Sequence, residues 1–162
     1  MTARNWRQGC RDPALPGLAQ PRWSSPGLAV GSLFSWRSVM ATKKDIAVSF
    51  LQLAAAGRAR EAFSKHAGSG FRHHNPYFAG DAQALMTGMD ENARQNPDKR
   101  LDVLHAVEDG DLVAVHSRVQ HHADDRGAAV VHLFRFEGDR IAELWDVGQP
   151  VPDESVNGNG MF

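Results

Sequence analysis

The sequence predicts an α+β fold in which a curved antiparallel sheet wraps on helices, a shape that can enclose a pocket. Two observations carry that prediction. Between residues 42 and 96 apolar side chains recur at helical spacing, and from residue 101 to residue 147 the period drops to two. Helices grouped ahead of a run of strands give segregated layers, not an alternating parallel architecture. No internal repeat is present.

The first helix opens at Thr42-Lys-Lys-Asp45, a hydroxyl followed three residues later by a carboxylate, which is capping-box spacing. Ile46, Phe50 and Leu53, with Val48 and Leu51, continue it to about Ala56, where Gly57 interrupts. A second short helix is expected over Arg58–His66, stopped by Gly68 and Gly70. Phe71–His74 reads as a strand end or loop, because Pro76 pushes Asn75 toward extended geometry. Asp81 caps a third helix whose face is Leu85, Met89 and Ala93, ending at Asn96-Pro97.

Strands follow. Leu101, Val103, His105 and Val107 alternate with Asp102, Leu104, Ala106 and Glu108, and Glu108-Asp-Gly-Asp111 is a tight turn. Leu112–Gln120 is a second strand, His121–Gly127 a polar loop, and Ala128–Phe136 a third strand. Glu137-Gly-Asp-Arg140 turns into a fourth, Ile141–Val147, before a tail rich in proline, glycine and asparagine.

Charge divides the chain. Residues 1–39 hold five arginines and one acid, whereas the remainder carries thirteen basic and eighteen acidic side chains, a balance of -5. An acidic body disfavours nucleic acid, and no apolar run is long enough to span a membrane, so neither partner is expected. The single cysteine, Cys10, permits no intrachain disulfide and no thiolate cluster, which fits a reducing, cytoplasmic setting.

The first 39 residues read as a disordered leader that contributes nothing to the fold, with Met40 as the natural start of the domain 40–162. Four prolines interleaved with four glycines break helices there, and the three tryptophans follow no period. The prolines also spoil a transit helix, and no small-residue cleavage pattern follows Gly27–Trp36.

Four segments in order resemble the SnoaL-like family of the nuclear-transport-factor-like superfamily, particularly its bacterial branch of polyketide cyclases and predicted aldol-condensing proteins. They are Phe71–Pro76 with Gly80, Glu108–Ser117, Phe134–Ile141 running into Glu143–Val147, and the tail from Gln149–Pro152 through Asn157–Phe162. The likeness covers about Met40 to Phe162. It implies a cone-shaped barrel on three N-terminal helices, no cofactor, a small apolar or carbonyl-containing ligand, and a homodimer formed through the outer face of the sheet.

The resemblance points to Asp146, at the end of the last long strand, as the catalytic acid and base; the other reading is a strand-end aspartate that caps a turn or pairs with an arginine. Alternation sets Asp146 on the face of Leu144 and Ala142, opposite Trp145 and Glu143. A carboxylate among apolar neighbours is a stronger base toward a carbon acid next to a carbonyl. His74, from the family's His-Asn-Pro, is the second catalytic candidate; it either handles a proton or fixes the turn before Pro76. Asn75 either donates to the substrate or makes an Asx turn.

His116 lines the pocket or is a satisfied sheet histidine. His132 stands where many relatives carry an acid, and Leu144 where relatives carry a histidine, so both are candidate ligand contacts. Phe78 and Phe134 are apolar candidates for the cavity wall, or core. A metal site is not expected: His73-His74 and His121-His122 are adjacent pairs that point apart on strands, and no helix carries metal-ligand spacing. Enzyme, small-ligand binder and dimerisation module of one shape remain in competition, separated by whether Asp146 faces an open hollow.

Overall fold

The computed structural model describes residues 41–162. The expected leader and Cys10 lie outside the described residues. Helix α1 spans Lys43–Ala55. Its capping box forms as expected: the Asp45 amide donates to the Thr42 hydroxyl at 3.1 Å and the Thr42 amide donates to the Asp45 carboxylate at 2.9 Å. Ala47, Phe50, Leu51 and Ala54 form its buried face. Gly57, at φ 73, makes the left-handed step that lets the chain turn into α2, Ala59–His66.

Strand β1, Ala67–His73, begins directly after α2. The glycines expected to stop the helix lie inside this strand, and the segment expected as a strand end is a full member of the sheet. Pairing with the last strand overrides the weak local propensity of Ala-Gly-Ser-Gly. Helix α3, Ala82–Gln95, follows with Asp81 as its cap, the Ala84 amide donating to Asp81 Oδ1 at 2.9 Å.

A meander of β2 (Arg100–Asp109), β3 (Leu112–Gln120), β4 (Ala128–Glu137) and β5 (Arg140–Pro150) completes the fold. The order across the sheet is β1-β5-β4-β3-β2. The β2 to β5 contacts are antiparallel as expected, but β1 runs parallel to β5, so the sheet is mixed. It is curved and does not close on itself. One strand also stands between the second and third helices, so the helices are not all N-terminal to the sheet.

Two irregularities in register decide which side chains face inward. Between Val103 and His105 the β2–β3 pairing slips by one residue, with Val103 opposite Ser117 and His105 opposite His116. Leu101 and Val103 therefore pack on the core, but beyond the slip Ala106 takes the inward place and Val107 is 64% exposed. The uninterrupted alternation expected for this strand is broken there. In β5 the extra residue is Ala142, between Ile141 opposite Phe136 and Glu143 opposite Arg135. Ile141 enters the core, and Ala142 does not share the inward row of Leu144 and Asp146.

The core lies between the inner face of the sheet and the helices. Phe50 stands edge-on to Phe63 at 5.1 Å and to Phe134 at 5.9 Å, and Phe63 to Phe71 at 5.2 Å. Phe134 is fully buried in this cluster, so it is a core residue and not the cavity contact expected of it. Truncating it removes a ring that several neighbours pack against. Phe134→Ala is expected to lower unfolding free energy by about 3–5 kcal/mol in urea titration, far more than a cavity-wall residue would.

Candidate functional site

A cavity of about 440 Å³ opens between α3 and the inner face of the sheet. Apolar surface dominates its wall, from Phe78, Leu85, Met89, Val119, Val130 and Leu144. The polar residues that line it are His73, Asn75, Tyr77, Asn92, Lys99, His121, His132 and Asp146. That mixture, apolar walls with a handful of convergent polar atoms, is what small-molecule sites have in common. A larger cleft of about 630 Å³ lies at the corner of α1, α2 and α3, but it contains no residue of the sheet and none of the expected site residues.

Asp146 faces the cavity, on the inner side of β5 and directly across from His132 of β4. Its Oδ2 accepts a hydrogen bond from Asn75 Nδ2 at 2.7 Å. Asn75 also makes the expected Asx turn, its Oδ1 accepting from the Tyr77 amide at 2.9 Å, while its Nδ2 is given to Asp146. The turn presets the amide that orients the carboxylate.

His132 has no hydrogen-bond partner at Nδ1, which is buried. Burial holds its pKa down to about 4, with Asp146 opposing that shift and Lys99 adding to it. At neutral pH it is an uncharged imidazole beside a carboxylate. Lys99 is half-buried and donates to Asn92 Oδ1 at 2.7 Å. Its ammonium pKa is lowered by loss of water contact.

Two expected site residues point the other way. His73 and His74 sit on opposite faces, as neighbours on a strand must. The inward one is His73, which is buried; its Nε2 donates to the Ala79 carbonyl at 2.6 Å, and its Nδ1 accepts from the Asn75 amide at 3.2 Å. Both ring nitrogens are committed to shaping the loop that carries Asn75. His74 is on the outer face, its ring stacked on Trp145 at 4.7 Å and bonded to Glu143 at 2.9 Å. His74 and Arg135 together hold the Glu143 carboxyl below its usual range. His74 therefore has no access to Asp146 or to the cavity.

His116 is also an outer-face residue, between the inward Val115 and Ser117. Its ring stacks on His105, with the two Nδ1 atoms 3.3 Å apart. It is the sheet histidine, not the cavity contact. Leu144 and Phe78 line the cavity as expected. The Phe78 ring lies over Gly88 of α3, where a Cβ would collide with it. Lys99, Asn92 and His73 were missed by sequence reading. The signal for His73 was present in the alternation against His74; nothing in the spacing of Lys99 or Asn92 marks them.

Comparison with known proteins follows the same lines. The SnoaL-like domain model matches residues 47–144. An NTF2-like protein of unknown function from Cytophaga hutchinsonii superposes with TM-score 0.56 at 17% identity, covering 70% of this chain and 95% of that one. A SnoaL-like protein of unknown function from Burkholderia thailandensis gives TM-score 0.56 at 17% identity, covering 66% and 94%. A protein provisionally named a polyketide cyclase from Sinorhizobium meliloti gives 0.54 at 15% identity, covering 64% and 94%. At these identities the likeness is one of fold. No curated protein shows a significant sequence match.

The depressed His132 makes a prediction about acid stability. An unfolded histidine takes up its proton near the ordinary value of 6.5, but the folded one does so only at about 4. Between those values the unfolded chain binds more protons, so stability falls as pH drops through that window. His66, also lowered by burial, acts in the same direction. Thermal melts from pH 7 to pH 4 are expected to show a falling Tm, with a shallower fall in His132→Phe.

Proposed function

The chain belongs to the SnoaL-like domain family, and we propose that it is an enzyme of the aldol-condensing or cyclising kind, acting on a small carbonyl compound without a cofactor. The observation that carries this reading is the pairing of Asp146 with His132 across two adjacent strands on the wall of one largely apolar cavity. A base and a donor are what the reaction requires.

Asp146, held by Asn75, takes the proton from the carbon next to the substrate carbonyl. Charge moves to the carbonyl oxygen as the enolate forms. His132, neutral and protonated on the nitrogen that is not sealed, donates to that oxygen. The enolate carbon then bonds to a second carbonyl carbon, within the same molecule for a cyclisation. The new alkoxide recovers the proton from Asp146. A neutral imidazole suits this role, since it stabilises the enolate without carrying a charge that would pair with and quench Asp146.

One other reading keeps specific support. A binder that does no chemistry is favoured by Leu144, which stands where relatives carry a histidine. A module working through association alone would need a filled interior, and the open cavity counts against it. Association as such fits: Val107, Val131 and Val147 are 64%, 41% and 71% exposed on the outer sheet face, and we read them as part of a homodimer contact. The reading includes a cytoplasmic setting and neither nucleic acid nor membrane as partner; no helix of the described residues is long and apolar enough to cross a membrane.

Two measurements test these statements. In a screen of aldehydes and ketones, Asp146→Asn is expected to lower kcat by roughly a hundredfold to ten-thousandfold. Equal turnover by both proteins removes Asp146 as the base. Light scattering on a size-exclusion column is expected to give a dimer, shifted toward monomer in Val147→Lys; a monomeric wild type ends the dimer proposal.

A further inference from the structure

The cavity contains a cation that no expected chemistry uses. Lys99 enters from the turn just ahead of β2 and lines the same space as Asp146 and His132. An ammonium has three donors and no acceptor. Among the described residues its one side-chain partner is Asn92, a neutral amide. Among the described residues, no ion pair involves Lys99, and none involves Asp146.

A half-buried ammonium and a carboxylate therefore share one apolar-walled cavity beyond ion-pairing distance of each other. Asp146 has Asn75 to satisfy it. Lys99 has no counter-charge, although its burial makes one valuable. A structural lysine in this position would be expected to reach the nearest carboxylate or to extend into water. This one is half-buried and bonded to Asn92.

We propose that Lys99 recognises a carboxylate on the ligand, so that the substrate class is a small carbonyl compound that also carries a carboxylate. The inference rests on the cavity being the ligand site proposed above, and it names the ligand class for that site. A single ammonium with Asp146 on the same wall favours a monoanion over a phosphate dianion, whose second charge would meet Asp146 uncompensated. Seated on Lys99, the ligand keeps its apolar body against Leu144, Met89 and Phe78 and its carbonyl near Asp146 and His132. Lys99 also forms part of the neighbouring cleft with Arg58, Arg60 and Arg94. On a domain of net charge -5 this local concentration of cations would draw anions toward the site.

The test is binding, which needs no turnover. Full-length protein is titrated by calorimetry and by amide-shift mapping with matched acids and primary amides: benzoate against benzamide, phenylacetate against phenylacetamide, and levulinate against levulinamide. In at least one pair the acid is expected to bind wild type roughly tenfold or more tightly than the amide, the range for a hydrogen bond to a charged group. Lys99→Met is expected to abolish the preference while leaving amide affinity within about twofold, and Lys99→Arg to retain most of it. Circular dichroism confirms that each variant is folded, and Lys99→Arg carries the test if Lys99→Met is not.

Equal binding of acid and amide, the absence of binding by every acid, or a preference that survives Lys99→Met overturns the proposal. Its failure is separable from failure of the base. A protein that prefers acids but turns over no carbonyl keeps Lys99 and loses Asp146 as catalyst. One that turns over neutral carbonyls through Asp146 with no acid preference does the reverse.

Discussion

Strand β5 is the constraint on which the rest of the molecule depends. It pairs with β1 on one side and β4 on the other, so among the described residues it is the strand through which β1 joins the sheet. Its one extra residue, Ala142, lets Ile141 enter the core and still delivers Leu144 and Asp146 to the cavity. Without that slip, every side chain beyond it would exchange faces. Glu143 and Trp145 would then enter the interior, and the carboxylate that the cavity needs would stand in water.

The inner and outer faces so defined divide the polar chemistry in two. Outside, Glu143 collects His74, Arg72 and Arg135 into a charged cluster against Trp145. Glu143 itself is buried, so its carboxylate depends on these partners to be satisfied. Inside, polar groups are sparse and each is tied to a neighbour: His73 to the loop, Asn75 to Asp146, Lys99 to Asn92. His132 Nδ1 is the exception. A buried ring nitrogen without a partner is costly in a resting fold and informative about what the fold is for.

Much of this architecture was legible in the residues. The capping box at Thr42, the cap at Asp81, the turn at Gly110 and the four long strands could be read from local chemistry alone, because each is decided within a few residues. The inward aim of Asp146 was also legible, since it lies beyond the slip in β5 and alternates with Trp145. What failed did so for non-local reasons. Strand β1 has no intrinsic strand signal and exists because β5 offers it an edge. The face of Val107 was misjudged because a bulge is invisible to a rule of strict alternation. His74 and His116 were drawn into the site by family likeness, but their positions on the strands put them outside it. Lys99 was overlooked because a lysine after Asn-Pro-Asp looks like an ordinary surface residue until the fold brings α3 over it.

Gly88 gives up intrinsic helix stability, about 1 kcal/mol relative to alanine, to let the Phe78 ring rest on α3. The two positions thereby form a single unit of inheritance. A side chain larger than hydrogen at 88 is tolerated only if the aromatic at 78 shrinks or turns away, and a smaller residue at 78 frees 88 to become alanine. Among descendants of this sequence the pair should change together, and the mouth of the cavity should widen or narrow with it.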